Sequence, residues 1–577
     1  MLRRYYQEEL TNLRELAREF SESHPALAPY LSGPSADPDV ERLLEGVAFL
    51  TGMLRQKLDD EFPEIIHELM ELIWPHYLRP VPCTSTVAFS PKPGLKEVLT
   101  VPAGTGVASL PVDGTSCIFR TCREVDVHPC RILESGYREQ PGRPRQLVLT
   151  VELEGLTLSQ WPVSSLEFCL GGAYASACDL YCLLLNQVMD VRLHPLEEGS
   201  DLLLPASSVH PGGFSDDEAL LPYPTNSFPG YRMLQEYFVN PRKFLFISLE
   251  GLERWTNRGD GARFEIIFSL KPGEEPLPQV TGESFVLSAV PVINLFPFSA
   301  NPIRLDHRRF KYPVQPATDK PGHYHVYSLQ KVKGFVQGTA AEREYLRFDM
   351  FGSGQGNGPF YNVVKQPSLL GPGMDCYISV AYPDVRQMAD IETLSIDLLC
   401  TNAFLPEQLQ IGDICRPTSS TPELVEFRNI TTASPYSLPT LGKDLLWRLI
   451  SHLNLNYSSL AGTENFKALL KLYIFTETRN QKQAAVNMRR IQGVEHLECR
   501  PVDRLISGMM FRGQEVNAVL RQDHFASRGD MYLFGSMIER FLGCYAAINS
   551  FTCFTLKESF TGERFKWAPR TGDRLLL

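Results

Sequence analysis

Residues 24–82 read HPALAPYLSGPSADPDVERLLEGVAFLTGMLRQKLDDEFPEIIHELMELIWPHYLRPVP, and this stretch decides how the chain begins. Asp37-Pro38-Asp39 is a helix start: the Asp37 carboxylate can cap, and Pro38 fits the first turn, where its missing N–H is not needed. Val40, Leu43, Val47, Leu50, Leu54 and Leu58 then recur at helical spacing as one apolar stripe, with Arg42, Glu45, Arg55 and Gln56 largely off it. Pro63 reads as the start of a further helix with Ile66, Leu69, Met70 and Ile73 inward, and Trp74-Pro75 as its end, because proline disfavours helix in the residue before it. Upstream, Leu10, Leu13, Ala17 and Phe20 mark a first helix that stops before His24-Pro25. These amphipathic helices must bury their stripes, either in the chain's own core or against the helices of a partner.

At 577 residues the chain exceeds one core and divides into several domains. A net charge of −11 argues against a general nucleic-acid binder, which needs a basic face to displace counterions. No apolar segment follows Met1-Leu2-Arg3-Arg4, so no secretory signal is expected, and no run of 18 apolar residues suggests a membrane span. No basic amphipathic helix speaks for a peripheral membrane adaptor. The 13 cysteines form no CxxC pair, which fits reduced thiols in a cytoplasm.

The expected fold class is α+β and multidomain. A helical region spans 1–82, two β-rich domains span 83–225 and 226–430, and a mixed α/β domain spans 431–577. Leu147, Leu149, Val151 and Leu153 alternate as one strand face; Val125–Val127, 244–249 and 264–270 read similarly, with Gly136–Gln146 as a polar loop. Past Pro435, helices are expected on Leu445, Leu446, Leu449, Ile450 and Leu453; on Phe466, Leu469, Leu470 and Tyr473; and on Leu533, Met537, Phe541, Tyr545 and Ile548. Residues 509–520 read as strand with a turn at Arg512-Gly513.

Chemistry is hard to find. His67-Glu68 opens like HExxH but lacks the second histidine. The glycine-rich run 352–358 fits no phosphate loop, since no Lys-Ser/Thr follows. Cys117, Cys122 and Cys130, or Cys178, Cys182 and His194, lack the paired short spacings of structural zinc. His323 and His325 stand at i, i+2, on one face if the segment is strand, but want a third ligand. No nucleophile elbow occurs, and Asp306-His307 and Ser451-His452 are mere neighbours. Arg528-Gly529-Asp530 spells an adhesion tripeptide and Asn429-Ile430-Thr431 a glycosylation sequon, both short enough to arise by chance. No catalytic, cofactor or metal residue is therefore assigned.

Several ordered blocks carry a resemblance. They are the N-terminal stretch; YRMLQEYF at 231–238 with Phe244-Leu245-Phe246; Asn294-Leu295-Phe296 with PIRLDH at 302–307; LSIDLLCTN at 394–402; LWRLISHL at 446–453; and YLFGSMIERFL at 532–542. Together they resemble the TssF (VasA/ImpG) family of type VI secretion baseplate subunits. The resemblance implies a non-enzymatic wedge component of a cytoplasmic baseplate, assembled at the inner membrane. Its implied partners are a second copy of itself, a TssG-type subunit, TssK-type and TssE-type subunits, and a VgrG spike; the assembled wedges nucleate a contractile sheath. The stripes Val40, Leu43, Val47, Leu50, Leu54 and Leu533, Met537, Phe541, Tyr545 are the expected partner interface. The rival reading is a cytoplasmic hydrolase with a spatially assembled Asp/Glu/His site.

Overall fold

The computed structural model describes residues 2–25, 37–139, 141–142, 144–223, 228–273, 276–336, 342–348, 358–368, 373–382, 392–439, 462–474, 481–506, 509–546 and 550–572. The chain forms two compact units that divide between Leu78 and Arg79.

The first unit is a helical hairpin. Helix α1 covers Leu2–Ser23 and α2 covers Pro38–Ile73. The Asp37 carboxylate caps α2 by accepting from Asp39 N at 2.9 Å, with Pro38 in the first turn. Trp74 terminates it, and Pro75–Leu78 follows as a 3-10 turn. Ion pairs Arg14–Glu41 and Arg55–Glu9 set the two helices antiparallel. Gly52 allows the closest approach: a Cβ there would lie 3.1 Å from the backbone nitrogen of Tyr6. One expectation is corrected. Pro63 does not begin a second helix, because α2 is continuous for 36 residues. The proline removes one backbone bond, and the turns on either side carry the helix through.

The second unit is strand-rich. A six-stranded sheet has the order Ile414–Pro417, Gly106–Val112, Thr115–Thr121, Ala289–Ile293, Thr84–Pro91, Val425–Asn429. Val87, Val107, Phe119, Val290, Val292 and Val425 belong to its buried core. A five-stranded sheet runs Leu202–Pro205, Val188–Pro195, Arg263–Leu270, Gln146–Leu153, Cys130–Arg138, and a four-stranded sheet runs Val209–Pro211, Phe246–Glu250, Ser165–Leu170, Phe285–Leu287. Leu147, Leu149, Val151 and Leu153 are all buried, as their alternation requires. The expected break near 225 is not a boundary. Phe246–Glu250 pairs with Ser165–Leu170, and Arg263–Leu270 lies between two strands from before 225. The polar loop expected from Gly136 to Gln146 is shorter, since Gly136–Arg138 and Gln146 join strands.

An eight-stranded sheet is centred on Glu392–Thr401 and His325–Val336, which pair antiparallel around buried Leu394, Ile396, Leu398 and Val332. The last sheet pairs Val494–Ile506 with Met509–Leu520 and sets the latter parallel to Ser550–Glu558. A parallel pair needs a crossover, and helix α7 (Arg528–Gly543) supplies it. The turn expected at Arg512-Gly513 is absent, because both lie inside a continuous strand. Gly513 is there for clearance: a Cβ would sit 2.5 Å from the Phe551 ring. Four further helices complete the seven among the described residues: α3 (Tyr174–Asn186), α4 (Pro229–Val239), α5 (Thr463–Leu472) and α6 (Gln481–Gln492). The helix expected around Leu445–Leu453 lies outside the described residues.

Candidate partner interface

Helix α2 sets Glu41, Gly52 and Arg55 against α1. Ala48 is fully buried at the hairpin seam beside Gly52. On another face Leu43 is 69 % exposed, Val47 37 %, Leu50 62 % and Leu54 63 %, with Val40 half-buried at the start of the row. Phe49 and Met53 on α2, and Leu16 and Phe20 on α1, add further exposed apolar surface. Large side chains thus recur at helical spacing on an exposed face of α2 over successive turns.

The C-terminal stripe has the opposite fate, which corrects the expectation that it offers a partner surface. Leu533, Met537 and Phe541 are wholly buried. Helix α7 packs between α3 and α4 and lies on the Ser550–Glu558 strand. Phe541 is surrounded by Phe228, Tyr231, Phe466 and Tyr545, with ring centroids 5.4 to 6.4 Å away. Tyr545 lies past the end of α7, partly buried, its hydroxyl 3.0 Å from that of Tyr231.

A buried charge cluster, not visible in the sequence, locks this arrangement. Arg490 on α6 donates to both carboxylate oxygens of Asp530 on α7 at 2.9 and 3.1 Å. The Tyr174 hydroxyl on α3 donates to Asp530 Oδ1 at 2.7 Å, Ala526 N donates to Asp530 Oδ2 at 3.0 Å, and Asn487 Oδ1 accepts from Arg490 at 3.1 Å. The adhesion-like tripeptide is part of this lock. Gly529 meets α3 so closely that a Cβ would fall 2.1 Å from the Cys178 carbonyl carbon.

The other constellations resolve into structure. Asn429 of the sequon is fully buried; its side chain accepts from Gly412 N and Ile414 N and donates to Gln410 and Thr431 carbonyls, all at 2.9 to 3.0 Å. His323 and His325 do not share a strand face. His323 ends a 3-10 turn and bonds Thr115 at 2.8 Å, whereas His325 opens a strand and bonds the Tyr436 hydroxyl at 2.9 Å. Burial holds the His325 imidazole down to about 4, against the pull of Asp375. Burial also pushes the Cys117 thiol up to about 11 and Cys122 and Cys130 up to about 12. His194 pairs with Asp201 at 2.7 Å. Among the described residues no three metal-ligating side chains converge, and no helix is long and apolar enough to cross a membrane. Residues 352–357 of the glycine-rich run lie outside the described residues.

The family model described as "Type VI secretion system, TssF" matches residues 1–574. The chain belongs to the TssF family. A curated relative, the type VI secretion system component TssF1 of Pseudomonas aeruginosa, is 32 % identical over 99 % of this TssF-family chain and 98 % of its own. Among solved structures, a chain of the type VI TssK-TssF-TssG baseplate subcomplex superposes with a TM-score of 0.79 at 29 % identity, covering 93 % of this chain and 99 % of that one. A chain of the type VI baseplate complex superposes at 0.63 with 26 % identity over the whole of both. This TssF-family chain is thus a type VI secretion baseplate component rather than an enzyme, and the hydrolase reading falls.

Proposed function

We propose that the chain is a structural wedge subunit that assembles with a TssG-type protein and a second copy of itself, with TssK-type and TssE-type subunits joining the wedge. In this reading the wedges surround a VgrG spike on the cytoplasmic side of the inner membrane and nucleate the contractile sheath. The observation that carries the reading is the α2 stripe: Leu43, Leu50 and Leu54 are each more than 60 % exposed. An obligate interface resembles a core cut in half, and residues of this kind form such a core when a partner helix is laid against them. One solved relative is a chain of a TssK-TssF-TssG subcomplex, which supports the choice of partner.

The test is co-expression with a TssG-type protein and mass determination of the purified complex. The expected product holds two copies of this chain per TssG-type subunit. The double variant Leu43→Asp/Leu50→Asp is expected to purify without the partner. A monodisperse monomer that never retains the partner would overturn the assignment.

A further inference from the structure

The PIRLDH block at 302–307 opens a segment that the α2 interface leaves unused. Arg304, Arg308, Arg309 and Lys311 fall within eight residues of a chain whose net charge is −11. They sit on and beside the loop joining the Ile303–Leu305 and Tyr312–Val314 strands of the eight-stranded sheet. The loop is held in shape. Asp306 Oδ1 accepts from Arg308 N at 3.2 Å and from the Tyr312 hydroxyl at 2.8 Å. His307 takes a left-handed φ of 55° and sets its ring against Tyr382 with centroids 5.7 Å apart. Lys311 Nζ lies 5.0 Å from the centre of the Tyr377 ring.

This scaffold presents Phe310 at 90 % exposure, the highest of any large hydrophobic side chain among the described residues. Arg304, Arg308 and Arg309 are exposed too, and among the described residues none is held in an ion pair. Asp306, the loop's one carboxylate, is already held from within. Arg304 lies opposite Thr393, which lies opposite Phe335 on the next strand. Directly opposed residues share a sheet face, so the half-exposed Phe335 stands two strands, about 10 Å, from Arg304.

An aromatic ring in water, flanked on both sides by cations, asks for an apolar layer lying just beneath a layer of anions. A protein site for Phe310 would have to set separate carboxylates to meet each of the neighbouring cations as well as a pocket for the ring, whereas a bilayer presents both layers across its whole surface. An anionic bilayer supplies both layers: the acyl boundary for the ring, and phosphates that arginine engages through two parallel N–H bonds. The absence of a basic amphipathic helix does not bear on this, because the device is a loop.

We propose that the 304–311 loop is a membrane-contact finger, with Phe310 entering the headgroup–acyl boundary of an anionic bilayer while Arg304, Arg308, Arg309 and Lys311 hold lipid phosphates. The net negative charge of the chain opposes approach only at long range. Salt screens it beyond about 8 Å, within which the loop's own cations dominate. One finger binds weakly, and binding strengthens when several copies face one surface.

The inference does not rest on the wedge assignment. Its test is flotation of the full chain, co-purified with a TssG-type partner where that complex forms so that α2 is covered, and alone otherwise. The probes are phosphatidylglycerol–phosphatidylethanolamine vesicles and phosphatidylcholine vesicles. Flotation is expected with the former only, weakening as salt rises. Phe310→Ser is expected to lower apparent affinity about tenfold, and Arg308→Glu/Arg309→Glu to abolish flotation. The emission of Phe310→Trp is expected to shift to the blue and to be quenched by brominated lipid. These side chains are exposed, so circular dichroism should be unchanged. The proposal is overturned by no flotation on anionic vesicles, or by flotation that these variants leave intact. A Phe310→Trp probe that stays in water overturns insertion, and loss of a protein partner without vesicle binding makes the loop a protein-docking element instead.

Discussion

Helices α2 and α7 carry the same kind of apolar stripe, yet one is left in water and the other is buried within the strand-rich unit. Val40, Leu43, Val47, Leu50 and Leu54 recur at the spacing that Leu533, Met537 and Phe541 also show, and the two sets differ in exposure from 37–69 % for the last four of the first set to zero for the second. Periodicity states that a helix must hide one side; it does not state behind what. The deciding difference lies off the stripe. On α7 the remaining positions other than Arg528 and Arg540 are also buried, and the polar ones Asp530, Ser536 and Glu539 each find a partner: Asp530 in Arg490, Ser536 in the Tyr532 carbonyl and Glu539 in Arg570. On α2 the seam with α1 is drawn together by Gly52, Ala48 and surface ion pairs, so its aliphatic row is surplus to the hairpin.

Four measurements can break or sharpen this contrast. The largest effect is expected from Asp530→Ala, which leaves Arg490 charged and buried without its partner; chemical denaturation should show a loss of about 3–5 kcal/mol. Leu533→Ala removes a fully buried side chain from the α7 stripe and should cost about 2–5 kcal/mol in the same assay. A small loss there would mean that the stripe is looser than its burial indicates. Acid should weaken the strand-rich unit through His325. Its folded-state value, about 4, lies below the ordinary 6.5, so the unfolded chain takes up the proton first as pH falls. The stabilisation from the neutral ring is whole above pH 6.5 and is lost between about 6.5 and 4, amounting to at most roughly 3 kcal/mol. His325→Gln should flatten stability across that window, and an unchanged slope would reject the assignment. The smallest effect is expected from Leu50→Ser in the chain alone, within about 0.5 kcal/mol of the parent. The same substitution in the TssG-type complex should weaken association far more, and equal effects in both settings would erase the distinction between the two helices.

Much of the architecture was legible because local chemistry wrote it. Asp37-Pro38 announced the cap of α2, Trp74-Pro75 its end, and the alternation through Leu147–Leu153 a buried strand face. Pro63 misled because a helix anchored on both sides tolerates one missing backbone bond. Gly513 misled because glycine marks clearance as readily as it marks a turn, and the ring it clears, Phe551, is distant in sequence. The break placed near 225 failed for the same reason: which strands pair is a long-range fact with no local sign. On α2 the five stripe residues were readable from their spacing, whereas exposed Phe49 and Met53, off that row, were missed. The Arg490–Asp530 lock had no sequence signal, since its members come from three helices and Asp530 was hidden in a misleading tripeptide.

The closure of the six-stranded sheet bears on how this polypeptide is made. Hydrogen bonds from Lys92 to Glu423 and from Thr84 to Ser434 join positions 331 and 350 residues apart. At ordinary ribosomal speeds the earlier strand emerges on the order of 20–70 s before the one that covers its edge. For that interval a nascent chain carries an open template for mispairing. The sheet is therefore complete only after Val425–Asn429 has been made, so this part of the fold closes late in synthesis.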